Sequence, residues 1–232
     1  MLQIHNVNKF YGQFQALKDI SFTIEKGNIF CLLGPNGSGK STLVNCLLSL
    51  LKYSGEIRFE TKNNFLRENI GIIMEEEGFM RDMSIYKNLL VTSVLKKAPL
   101  SEIDYLIELV GLKKHKNKRI KKLSLGMRKR LSIANSLIGN PSFLIWDEPY
   151  NALDPDGFLF IRQLITELNK QGKTIFICTH LLDEVERIAD RVGLIYHGQL
   201  LSVMNKKEIT AKFGTIENFY LKHTKRISDV QL

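Results

Sequence analysis

The chain has 232 residues, 44% hydrophobic and 25% charged, the balance of an ordinary globular protein, which excludes disordered, collagenous and fibrous classes. That length suits one large domain, or one with an embedded subdomain, and not two full domains. Lysine and arginine outnumber the acids 33 to 24, and the resulting charge of +9 favours contact with polyanions: nucleic acid, an anionic bilayer surface or phosphates.

Short alternating stretches at 2–8 and 20–25 and a compact apolar run at 28–33 predict strands, and the last of these meets glycines. Residues 40–51 have helical spacing and 55–60 return to alternation, an α/β beginning. From 82 to 138 apolar residues recur at helical spacing with no convincing strand between them, which predicts a helical insert. Strand and helix then alternate again: strands at 143–146 and 174–178, helices near 156–170 and 181–190. Strands at 192–196 and 199–204, joined through His197 and Gly198, predict a closing hairpin. No apolar run approaches a bilayer-spanning length, the longest being interrupted at Asn45 and Ser49, and the N-terminus has no secretory pattern, so a cytosolic address is expected. Cys31, Cys46 and Cys178 lie far apart among apolar residues, the pattern of buried reduced thiols.

Residues 34–41 read GPNGSGKS, which satisfies G-x-x-x-x-G-K-[ST] between an expected strand and an expected helix. Glycines 34, 37 and 39, with Asn36 and Ser38, let the backbone N–H groups from Gly37 to Ser41 converge on one hollow, and the helix adds its positive dipole end. A polyphosphate fits such a hollow. Lys40 supplies a point charge to the β- and γ-phosphates, Ser41 a hydroxyl ligand for Mg²⁺, and Thr42 a weaker phosphate contact. The apolar stretch FLIWDEP at 143–149 delivers Asp147 at a strand end, suited to Mg²⁺ through its water shell. Glu148, one residue on, is placed to polarise the water that attacks the γ-phosphate.

With these motifs in place, LSLGMRKRL at 123–131 resembles the LSGGQ signature of the nucleotide-binding subunits of ATP-binding cassette (ABC) transporters, and the resemblance covers nearly all of 1–205. It implies a P-loop NTPase core, a mostly parallel sheet flanked by helices, with an N-terminal antiparallel β-part and an inserted α-helical subdomain. On that reading 1–80 and 139–205 form the nucleotide-binding core, 81–138 the signature subdomain and 206–232 a tail. It also implies that ATP is held between two head-to-tail subunits, homodimeric or heterodimeric, with Ser124 and the Gly126 N–H of one capping the γ-phosphate bound by the other. Ser124 is equally suited to an ordinary helix N-cap.

By the same resemblance Tyr11 stacks on adenine, residues 151–154 form the loop crossing the dimer interface, and His180 reaches the γ-phosphate. Leu125 and Met127 depart from the signature's second glycine and its glutamine. Glu75, in IGIIMEEEGFM at 70–80, replaces the family's usual glutamine as a further Mg²⁺ ligand, a pattern similar to bacitracin- and lantibiotic-resistance exporters and related peptide exporters. Residues 79–98 would then receive a cytosolic helix of a separate transmembrane permease.

The resemblance implies an ATPase subunit, peripheral on the inner membrane face, that powers export with ATP and Mg²⁺ and has no specific nucleic-acid partner. A non-transport ABC ATPase acting on nucleic acid, ribosomes or cluster assembly stands as the alternative; a single phosphate loop and the lack of a long coiled-coil insertion weigh against it. A regulator with little hydrolysis is a third reading. The ten lysines and arginines between Lys113 and Arg130 suit a solvated face, anionic headgroups or the partner's ATP phosphates.

Overall fold

The computed structural model of the chain describes residues 1–60, 70–74 and 78–228, with side chains as far as Lys225. In chain order its strands are β1 (Leu2–Tyr11), β2 (Phe14–Ile24), β3 (Ile29–Leu33), β4 (Ser54–Phe59), β5 (Ile70–Ile73), β6 (Phe143–Asp147), β7 (Thr174–Thr179), β8 (Arg191–Tyr196) and β9 (Gln199–Asn205). The α-helices are α1 (Lys40–Leu47), α2 (Ile85–Leu95), α3 (Glu102–Leu109), α4 (Leu125–Leu137), α5 (Pro155–Lys170), α6 (Leu182–Ile188), α7 (Lys206–Phe213) and α8 (Ile216–Ser228). No helix among the described residues is long and apolar enough to cross a membrane. The contacts divide the chain into two compact units, one of Met1–Lys62 with Thr174–Leu232, the other of Asn63–Lys173.

In the first unit seven strands run in the order β4-β1-β2-β9-β8-β3-β7. β1 pairs antiparallel with both β2 and β4, the antiparallel part expected near the N-terminus, whereas β3 pairs parallel with β7 and β8. β3 and β7 are buried at every residue, as parallel strands covered on both faces must be. Phe22, Phe30 and Phe176 pack there, the first two stacked with centroids 4.9 Å apart. β8 and β9 form the expected hairpin, and its turn holds His197 and Gly198 at φ 46° and 75°, the left-handed pair that a two-residue connection between twisted strands demands. β1 and β2 exceed their expected lengths because their hairpin closes tightly at Gly12. α1 stops at Leu47, short of the expected 51, where Ser49 turns left-handed at φ 56°.

In the second unit β5 pairs parallel with the fully buried β6. The stretch from 85 to 137 is helical apart from two short 3-10 turns and their connections, as the spacing of 82–138 predicted. Trp146 is wholly buried on β6, and its indole N–H donates to Ser136 Oγ of α4 at 3.2 Å, so the one polar atom of the largest core side chain is satisfied. Asp154 caps α5 by accepting the Gly157 N–H at 2.8 Å, with Pro155 at the first helical position. The three cysteines are buried and form no disulfide among the described residues, and burial pushes the Cys31 thiol far above its usual range, which makes it inert.

Candidate functional site

Residues 34–41 lie between β3 and α1, where the motif requires them. Gly37 and Gly39 adopt φ 77° and 106°, conformations that fold successive amides toward one side. Gly39 is the N-cap of α1 and no side chain caps the helix, so the first-turn N–H groups are not spent on a protein side chain. A methyl group on Gly34 would lie 2.3 Å from the Ile195 carbonyl oxygen and 2.7 Å from Ser38 Oγ, so the loop folds back against β8 with no room for a side chain. Ser38 Oγ is buried without a hydrogen-bond partner, and the Lys40 ammonium donates to the carbonyls of Gly34 (2.8 Å) and Pro35 (3.1 Å). Left-handed glycines, uncapped amides, an orphaned hydroxyl and a buried ammonium are the donor set of a polyphosphate, and the loop fits that group.

The strand register brings a second predicted residue to this loop. Leu33 and Thr179 are paired at the ends of β3 and β7, and Gly34 N–H donates to Thr179 O at 3.2 Å. His180, the next residue, is therefore delivered to the strand edge from which the loop springs, and it is exposed there. The β1–β2 hairpin reaches the loop from another side, since a methyl on Gly39 would meet Leu17 Cδ2 at 2.9 Å and Ala16 O at 3.0 Å. Tyr11 stands at the tip of that hairpin with 47% of its surface exposed and the Lys9 ammonium 4.9 Å from its ring centre. The first unit thus gathers Tyr11, Gly34–Thr42 and His180.

The second unit gathers the rest. Asp147 and Glu148 are both buried at the end of β6, and Glu148 has φ 47°. A left-handed glutamate costs on the order of 1 kcal/mol or more, and such strain is retained where surrounding structure holds a side chain to a task. Ala152 is also left-handed at φ 66°, in the 151–154 segment. Ser124 is the N-cap of α4, its Oγ accepting the Met127 N–H at 3.2 Å, and Leu125 beside it is exposed. A methyl on Gly126 would lie 3.3 Å from Ala152 O, so the signature helix starts directly against the 151–154 segment. Glu75 lies outside the described residues.

Sequence reasoning did not identify Thr179, which links loop and strand, or Asn88, which organises the segment before α2. Asn88 accepts the Met80 N–H at 2.9 Å and donates to the carbonyls of Met80 (3.2 Å) and Ser84 (2.9 Å). Each is an ordinary polar residue in an ordinary stretch, and only the fold gives it a partner.

A family model described as ABC transporter matches residues 17–151, from β2 through the phosphate loop and signature helix to the Asp147–Glu148 strand end. The chain belongs to the ABC transporter family. It is 41% identical over 204 residues to a lantibiotic transport ATP-binding protein, SrtF, of Streptococcus pyogenes, with 87% of this chain and 89% of the relative covered. It is 38% identical over 210 residues to the bacitracin transport ATP-binding protein BcrA of Bacillus licheniformis, covering 87% of this chain and 68% of that one. Among solved structures it resembles a dimeric ATP-binding cassette in a post-hydrolysis state bound to ADP and phosphate, with a TM-score of 0.81, 26% identity, and 89% and 99% of the two chains covered. The chain is an ATP-binding subunit of an ABC transporter, from a family of ATPases.

Proposed function

We propose that this subunit hydrolyses ATP within a dimer to power a separate membrane permease that exports a peptide, antimicrobial or drug. The observation that carries the ATPase reading is the loop of left-handed glycines with the Lys40 ammonium in its mouth and His180 at the adjoining strand end. Export rests on likeness to the lantibiotic and bacitracin transport proteins together with the sequence of the 70–80 segment.

In this reading Tyr11 stacks on adenine, and the amides of 36–41 with Lys40 and Thr42 hold the phosphates. Ser41, Asp147 and Glu75 would hold Mg²⁺, which would neutralise charge on the phosphates. Glu148, buried at the end of β6, accepts a proton from the attacking water. His180 donates to the γ-phosphate oxygens, whose charge is also met by Ser124 and Gly126 of a second subunit, identical or different. Because the closed dimer binds ATP better than the open one, ATP shifts the equilibrium towards closure and hydrolysis reverses it.

The permease would dock on the second unit at a groove of about 400 Å³ that includes Ile72, Met80, Asn88, Leu95 and Asn135. Met80 and Leu95, which line it, and Val94 beside Leu95 are all exposed, an apolar patch of the kind that docking surfaces carry. On this reading the subunit works at the cytoplasmic face of the membrane. The test is recovery of tagged Glu148→Gln chain with ATP and Mg²⁺ from solubilised membranes of its source cell. A stoichiometric multi-span protein supports the reading; recovery of only soluble or nucleic-acid-bound partners transfers it to the non-transport ATPases.

A further inference from the structure

The basic residues of 113–130 are not simply a run of charge along the chain, because the fold pairs them with a second segment. Ser84 and Arg119 form an antiparallel bridge, and the backbone of 81–86 is laced to that of 116–121 on either side of it. Ile85 N–H donates to Lys118 O and Tyr86 N–H to Lys116 O, both at 3.1 Å, while Ile120 and Lys121 donate to Met83 and Arg81 at 3.0 Å. Two stretches distant in sequence thereby become one face, and the three hydrogen bonds of the buried Asn88 side chain fix the turn at its edge.

Part of the charge on this face is used within the protein: Lys113 pairs with Glu108, Lys116 with Asp104 and Lys121 with Asp82. Arg81, Lys87, Lys114, Lys118, Arg119 and Lys122 make no ion pair among the described residues. Set among these cations are two exposed thioethers, Met80 at 46% and Met83 at 37%. Cations mixed with exposed apolar side chains are the composition of a surface that lies in a headgroup layer, where the cations meet lipid phosphates and the apolar groups enter the acyl boundary. Nucleic-acid surfaces instead interleave cations with aromatic platforms or present them to a groove; the aromatic nearest here, Tyr86, has its ring under the Lys116 ammonium at 4.4 Å.

We infer that the face formed by 80–87 and 113–122 binds anionic phospholipid headgroups, giving the subunit an attachment to the bilayer of its own beside its docking on the permease. The inference deepens the transporter reading and rests on it for the choice of a bilayer: Met80 belongs both to this face and to the groove assigned to the permease, and Asn88, which fixes the turn at the edge of the face, lines that groove too, so a docked permease brings the two together. Six cations of this kind, within a Debye length of a negatively charged leaflet, are enough to hold a protein there reversibly.

The experiment uses the full chain alone, without permease, and cosediments it with vesicles of phosphatidylcholine or of phosphatidylcholine with about one-third phosphatidylglycerol. Binding only to the anionic vesicles, weakening as salt is raised, is the expected result. Lys118→Gln/Arg119→Gln/Lys122→Gln lowers the partition coefficient roughly 100-fold, at about fivefold per cation. Lys118→Arg/Lys122→Arg retains it, and so does a control that neutralises the exposed Lys26, Lys207 and Lys212 of the first unit. No binding to anionic vesicles at low salt, an equal loss in the control, or tighter capture by homopolymeric RNA than by vesicles each overturns the inference. ATP turnover and recovery of the permease are separate readouts, so failure here leaves the transporter reading standing, and failure there is seen independently.

Discussion

Thr179 holds the phosphate loop at its root: its carbonyl accepts the Gly34 amide at 3.2 Å, while its hydroxyl accepts the Leu181 amide, also at 3.2 Å. One residue thus fixes both where the loop leaves β3 and where His180 leaves β7. Gly34 has the tightest surroundings on this path, its would-be methyl lying 2.3 Å from Ile195 O. Backbone cannot move aside as a side chain can. Gly34→Ala is expected to lower stability by about 1–3 kcal/mol, the usual range for overpacking, and to weaken ATP binding together with it. Thermal denaturation with and without nucleotide checks both effects; an unshifted melting temperature would show that the loop yields more easily than its contacts imply.

Glu148→Gln keeps shape and hydrogen-bonding capacity but not the ability to take a proton. Turnover is expected to fall about 10²–10⁴-fold, the contribution of a positioned general base, with ATP affinity unchanged. Phosphate release and calorimetric titration separate the two. Preserved turnover would remove Glu148 from the proposed chemistry and leave its left-handed backbone unexplained.

How far these residues could be read in advance depended on whether their signal is local. GPNGSGKS contains its own turn and helix start, so its place between β3 and α1 followed from eight residues. β5 was not anticipated as a strand. It has only four residues and gains its meaning from pairing with β6, about 70 positions away. The tail helices α7 and α8 were missed as well, because their apolar residues are spaced among many charges and find partners only on folding. Phe213 and Phe219, for example, meet edge to face at 5.4 Å, and Ile216 N–H donates to Glu186 at 2.7 Å. The left-handed backbone of Glu148 and Ala152 left no trace in residue type, since neither glutamate nor alanine favours it.

Ser124 does one thing visibly, capping α4, and is proposed to do another, contacting the γ-phosphate held by a second subunit. The two come apart by substitution. Ser124→Ala is expected to cost about 1 kcal/mol of stability through loss of the cap and to reduce turnover. Ser124→Asn retains the cap but presents a longer side chain to the phosphate, so stability recovers and turnover does not. Recovery of both with Asn would reduce Ser124 to a cap.

Lys96 gives the second unit a pH-dependent element. Its ammonium donates to Ile70 O at 3.1 Å and to Ile138 O at 3.2 Å, joining α2 to β5 and to the end of α4. Burial holds its pKa below the usual lysine range. The unfolded chain therefore keeps this proton over a window, from the depressed folded value up to the ordinary value near 10.5, in which the folded chain has lost it. Stability from this group rises with pH through that window and is lost as pH falls through the folded value. Lys96→Met removes the titration and leaves two carbonyls without their donor, expected to cost about 1–3 kcal/mol at neutral pH. Chemical denaturation of both proteins from neutral to alkaline pH checks the sign: the stability of the wild type relative to Lys96→Met must increase with pH, and a flat difference would show that the lysine is solvated well enough to titrate alike in both states.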